Sequence, residues 1–187
     1  NQKSWLMESL KEWAVIVSAL ENGDQTIILR KGGILDVESG FRIESKKFLL
    51  YPTQEHQEHS HIKPQFFKYL EDVKSNPTKE GFNRITSYAE VLEETNVSSD
   101  KIIKKLSAYH ILSESYIKER RDWQSQKPMK IAFLKIYKIP PFNTPIKSEY
   151  QGCKSWININ AEIPVGEAVL SDLEIKSKLD EFKEIIK

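Results

Sequence analysis

The chain carries a single cysteine, Cys153, among 187 residues. One cysteine excludes an intrachain disulfide and any zinc site built on paired thiolates. No run of about 18 apolar residues exists, so no segment reads as a membrane-spanning helix. Neither sign of charge dominates: 28 Lys and Arg face 27 Asp and Glu, a net charge of +1. Proteins that depend on duplex phosphate contacts usually carry a clear basic excess. Near-neutrality argues against non-specific duplex binding and leaves a local basic patch open. There is no internal repeat and no low-complexity tract. The first residues, Asn1 to Trp5, lack the apolar core of a signal peptide. Together these absences point to a cytoplasmic protein with no membrane partner.

What is present is ordinary for a globular chain: 39% hydrophobic and 29% charged residues. At this length one domain is expected, burying about 70% of its unfolded surface without help from disulfides or metal. The expected organisation is one domain over residues 1–187 with a mainly helical insertion over 63–123.

Local patterns predict the elements. Leu10, Trp13, Ile16, Val17 and Leu20 share a helical face, which predicts a helix from Met7 to Asn22 stopped by Asn22-Gly23. The alternative is a strand over Trp13 to Ala19, because Val15, Ile16 and Val17 are β-branched. Gln25 to Arg30 reads as a strand buried on both faces, broken by Lys31-Gly32-Gly33. Phe41 to Glu44 reads as a short strand, and Lys47 to Tyr51 as another stopped by Pro52. A polar loop follows over Gln54 to His61, then a helix over Gln65 to Lys74 opened by Pro64. Phe82 to Thr86 reads as a strand, while Tyr88 to Thr95 is compatible with helix or strand. Ser98-Ser99-Asp100 forms an N-cap cluster for a helix reaching about Trp123. Met129 to Ile139 reads as a strand ended by Pro140-Pro141. Ser155 to Ile159 reads as a last strand. Ser171-Asp172-Leu173-Glu174 is a capping box for a C-terminal helix. Five or six interspersed strands with packed helices make an α+β domain with a small mixed sheet or open β-barrel.

Two strand exits carry the chemistry. The first run ends in Arg30, Lys31, Gly32 and Gly33, two cations beside glycines that free backbone N–H groups for a phosphate or a base edge. The spacing is not that of a P-loop. The second run ends in Tyr51, Thr53, Glu55 and His56, a phenol for stacking and groups for hydrogen bonding or acid–base work. The segment Lys154, Ser155 and Trp156, beside Cys153, adds a third set of polar groups before a strand. Histidines 56, 59 and 61 lack regular metal-ligand spacing, and no metal or cofactor is assigned. Asp36, Glu44 and Lys46 mimic a nuclease pattern that is short and common by chance. The basic residues of 101–121 read as a solvated helix face.

Several of these segments resemble one bacterial family, domain-of-unknown-function family 1802. The resemblance rests on Lys11-Glu12-Trp13-Ala14-Val15, on Leu29 to Ile34, on Phe48 to Thr53 with Glu55-His56-Gln57, on His110-Ile111 and on Gly152 to Trp156. It covers nearly the whole chain and implies no particular chemistry. A fainter resemblance is to PUA-like folds of the ASCH type, carried by Trp13 to Leu20, Asn22-Gly23 and Thr26 to Arg30. Those folds are small barrels with a cleft that accepts RNA or a modified base, and the resemblance implies such a cleft here. The combined expectation is a binder of RNA, modified DNA or a nucleotide-like ligand through Arg30, Lys31, Gly32, Gly33, Tyr51, Thr53, Glu55, His56, Lys154, Ser155 and Trp156. The alternatives are a metal-dependent nuclease or phosphohydrolase and a non-catalytic interaction module. Oligomeric state is not readable from the sequence.

Overall fold

Trp13 marks the point where the chain turns from strand to helix. Strand β1 covers Leu6–Trp13, and helix α1 follows at once over Ala14–Glu21. The computed structural model describes residues 6–31, 41–55, 57–162 and 165–187. The expected helix from Met7 to Asn22 is therefore half strand. Its helical spacing holds only from Ile16 onward, where Ile16, Val17 and Leu20 are buried on α1. The Met7 to Trp13 half is held extended by partners on both sides. It pairs parallel with β3 (Lys47–Thr53) and antiparallel with β6 (Trp156–Asn160). The expected C-terminal stop is present: Gly23 takes φ +77°, a left-handed backbone that glycine adopts without a Cβ clash.

The remaining strands and α-helices among the described residues are β2 (Ile27–Arg30), α2 (Lys68–Ser75), β4 (Phe82–Val97), α3 (Asp100–Lys105), α4 (Glu114–Asp122), β5 (Met129–Pro145), β7 (Glu167–Ala168) and α5 (Asp172–Ile185). The strands form one seven-stranded sheet in the order β2-β5-β4-β3-β1-β6, with β7 added alongside β5. Among the described residues only β1 and β3 run parallel; the other pairs are antiparallel. This is an α+β fold with a mixed, open sheet whose path ends on β2 and β6. The ends nevertheless approach each other. Arg30 at the end of β2 donates to the Lys11 carbonyl at 3.2 Å and to Ser155 Oγ, just before β6, at 2.7 Å. The sheet is curled until its two edges face across a seam.

The sheet separates two apolar layers. Phe48 and Leu50 of β3 face the larger core, which also holds α1, Phe133 and Phe182 of α5. Leu49 and Tyr51 face a smaller one with Ile85, Tyr88, Tyr150 and Ile157. That alternation along β3 follows from the two-residue period of a strand.

Prolines expected to stop strands are absorbed instead. Pro52 lies within β3, opposite Glu12 of β1. The β3–β4 register stops at Leu49, so no ladder bond from β4 is lost at Pro52, and Asn83 Nδ2 donates to its carbonyl at 2.7 Å. Pro140 and Pro141 fall in a bulge of β5, between the pairs Ser87–Lys138 and Ile85–Phe142.

The span 63–123 carries α2, α3 and α4 and also part of the sheet. It contains β4, a sixteen-residue strand at the middle of the sheet. The single helix expected up to Trp123 is two. The consecutive buried residues Tyr109, His110, Ile111 and Leu112 need cover on every side, which one helix face cannot supply, and Leu112 bridges to Ile62 as extended chain. Ser113 then caps α4 by accepting from the Tyr116 N–H at 3.2 Å. Phe41 to Glu44 forms no strand; Phe41 is buried and stacks on Trp156.

Candidate functional site

The seam opens into a cleft of about 840 Å³. The ends of β1, β2 and β3 reach it, because β1 and β3 run parallel and finish on the same side. The start of β4, the loop before β6 and one face of α4 complete its walls.

Arg30 lines the cleft. Its guanidinium donates to the Lys11 carbonyl and Ser155 Oγ, approaches Glu12 Oε2 at 3.5 Å and lies 4.9 Å from the Phe41 ring centroid. Glu12 is itself held, accepting the Trp13 N–H at 2.9 Å. Three of the five guanidinium donors are used within this set, so the side chain is fixed while two N–H groups keep no partner among the described residues. A planar fork of this kind suits a base edge or an oxyanion.

Lys11 stands beside it. Its ammonium donates to the carbonyls of Tyr150 at 2.7 Å and Gly152 at 3.0 Å. Burial holds its pKa below the ordinary lysine range, and the like charges of Lys154 and Arg30 push the same way, against Glu55. On another wall, Trp13, His61 and Tyr116 form an aromatic group. Trp13 and His61 stack at 5.2 Å with planes 18° apart, and Tyr116 lies 4.7 Å from His61 and 5.2 Å from Trp13. Burial raises the Tyr116 pKa, keeping the phenol protonated and able to donate. Trp123, with Arg120 over its ring at 4.8 Å, extends this wall.

Of the residues expected at a site, Arg30, Tyr51, Thr53, Glu55, Lys154 and Ser155 line this one cleft. The two strand exits do converge, and the Gly152 to Ser155 segment meets them. Gly32, Gly33, His56 and Asp36 lie outside the described residues. Three assignments need revising. Lys31 does not line the cleft: it is fully buried, and its ammonium donates to the carbonyls of Arg121, Trp123 and Gln124 at 2.6 to 2.9 Å. It ties β2 to the end of α4. Trp156 is not a lining residue either; its indole donates to the Arg42 carbonyl at 2.8 Å and its ring packs on Phe41 and Phe48. Tyr51 lines the cleft but is only 5% exposed and sits edge-on to Tyr150, so it has no open ring face for stacking. Burial raises its pKa.

Glu44 and Lys46 do not line the cleft, and Lys46 pairs with Glu94 at 3.0 Å. His59 packs against Phe67 while His61 joins Trp13 and Tyr116, so these two histidines do not converge. Among the described residues no group of three or more His, Cys, Asp or Glu is placed to hold a metal. Sequence reading missed Lys11, Trp13, His61, Tyr116 and Trp123 as wall residues. A signal was available for Tyr116 and Trp123: Ser113-Glu114 is an N-cap that starts a short helix placing Tyr116, Arg120 and Trp123 at spacings of four and three. Another residue of the second exit has a structural use. Gln57 Oε1 accepts the Val15 N–H at 3.1 Å, capping the start of α1 from across the fold.

Residues 9–181 match the model of a domain of unknown function, DUF1802, and the chain belongs to that family. No curated protein matches it. Among solved structures it is similar to the crystal structure of ASCH from Zymomonas mobilis, at 14% identity over 93% of each chain with a TM-score of 0.42. Two mutant forms of that protein are similar at 14% and 16% identity, each over 93% of this chain. They cover 96% and 94% of their own chains, with TM-scores of 0.38 and 0.35.

Proposed function

We propose that the cleft binds a single-stranded nucleic acid or a nucleotide-like ligand, with a base against the Trp13–Tyr116–Trp123 wall and its polar edge toward Arg30. The observation that carries this reading is the conjunction of an immobilised arginine with an aromatic wall in one cleft of about 840 Å³. Small-molecule sites occupy about 300–1,000 Å³. Aromatic faces beside cations are the usual way to hold unpaired bases, each stack contributing about 1–3 kcal/mol. The net charge of +1 supports a local contact with one strand or one nucleotide over a phosphate-tracking duplex surface. Thr53 and Glu55, at the β3 exit, supply further hydrogen-bonding groups on the same cleft.

The test is fluorescence anisotropy with short single-stranded RNA and modified-DNA probes. Tyr116→Leu and Trp123→Leu are each expected to weaken binding about tenfold, consistent with the loss of one stack. Arg30→Lys should weaken it while keeping a cation at the seam. Circular dichroism checks that each variant is folded. Folded variants that bind every probe as the unaltered protein does, or an unaltered protein that binds none, would overturn the reading.

A further inference from the structure

The cleft has a second wall that base stacking does not use. Lys11 and Ser155 meet Arg30 there, Lys154 lies near Lys11, and all four line the cavity. We propose that this wall is a phosphate subsite, which takes a backbone or terminal phosphate of the strand whose base lies against Trp13 and Tyr116. The inference rests on the binding reading above and adds the orientation of the ligand.

Lys11 is half-buried and anchored. The Tyr150 and Gly152 carbonyls take two of its three donors, and the third has no partner among the described residues. Ser155 Oγ accepts from Arg30 at 2.7 Å, which leaves its own O–H to donate. Lys154 is exposed at the rim and close enough for its charge to act on Lys11. Gly152 has φ +92° with open space around it, and the N–H groups of Gly152, Cys153 and Lys154 donate to nothing among the described residues. Two carboxylates face the same space. Glu12 is engaged by Arg30 and the Trp13 N–H, and Glu55 acts on Lys11 from the β3 exit. Three cations against these two carboxylates leave this wall with a net positive charge. A phosphate would balance that charge and accept from the unused lysine, serine and arginine donors at once.

Two measurements test this. The first is the salt dependence of single-stranded RNA binding. Lys154→Ala and Lys11→Met should each weaken affinity several-fold and flatten the log–log salt slope by about 0.7, the loss of one phosphate contact. Tyr116→Leu should weaken affinity and leave the slope unchanged. The second is titration with inorganic phosphate, followed by amide NMR. Shifts are expected at residues 152–155 of the unaltered protein and should vanish in a Lys11→Met, Lys154→Ala double variant. If Tyr116→Leu weakens RNA binding while neither lysine variant changes affinity or slope, the subsite falls and the binding reading stands. If phosphate shifts 152–155 but no RNA or DNA probe binds, the binding reading falls and an anion site remains. Absence of both the phosphate shifts and the slope change overturns the subsite outright.

Discussion

Acidification from pH 7 to pH 5 should destabilise this protein through one residue, His110. Its side chain lies in the extended link between α3 and α4 and is 3% exposed. Nδ1 accepts the Leu112 N–H at 3.1 Å, so that nitrogen must be unprotonated in the fold. Burial lowers its pKa to about 3, helped by the positive charge of Lys63, whose ammonium donates to the His110 carbonyl at 2.7 Å. The folded value lies below the unfolded one, near 6.5. Between these values the unfolded chain binds a proton that the folded chain refuses, so stability falls as pH falls through that window. The loss from this group is about 2 kcal/mol between pH 7 and pH 5, and about 4–5 kcal/mol once pH reaches 3, at about 1.4 kcal/mol per pKa unit. With a urea slope of about 2 kcal/mol/M, the pH 5 loss lowers the unfolding midpoint by about 1 M. The assay is urea unfolding at pH 7, 6 and 5, run beside His110→Asn. Asparagine offers an oxygen to the same Leu112 N–H and does not titrate. The variant should show a flatter profile by about that amount. Equal losses in both proteins, or an NMR titration placing His110 near 6.5, would refute the reasoning.

Two further perturbations separate structure from binding. Lys31→Met removes three charge-assisted bonds to the end of α4; partly offset by relief of a buried charge, it should cost about 2–4 kcal/mol in urea unfolding and alter Trp123 fluorescence. Unchanged stability would show that Lys31 is not the tie between β2 and α4. Gly166→Ala would place a Cβ 2.7 Å from Tyr137 Cβ and 2.8 Å from the Tyr88 ring, two side chains that already stack on each other. Overpacking of that kind costs about 1–3 kcal/mol, and a thermal midpoint equal to that of the unaltered protein would refute it.

Local signals carried far where they were local in cause. The stop at Asn22-Gly23, the runs that became β2 and β3, and the Ser171 cap of α5 depend on a few neighbouring residues. Failures cluster where a distant partner overrides local preference. Met7 to Trp13 has helical spacing but is sandwiched between β3 and β6. The proline of β3 is tolerated because β4 leaves it unpaired, and those of β5 because β5 bulges where they fall. β4 itself reads ambiguously from Tyr88 to Thr95, and only pairing along β5 makes it one long strand.

The sequence by itself determined that two apolar runs end in reactive-capable groups, that no disulfide can form, and that the chain belongs to DUF1802. Tertiary structure decided which of those groups share a space. Arg30 and Lys31 are adjacent, and in the sequence they are equivalent cations. Successive side chains of extended chain point to opposite faces, so one enters the cleft and the other turns to the end of α4. Only the curl of the sheet, which brings β2 to face β1 and the loop before β6, gives Arg30 its partners in Ser155 and Glu12. Only the packing of α4 gives Lys31 its three carbonyls.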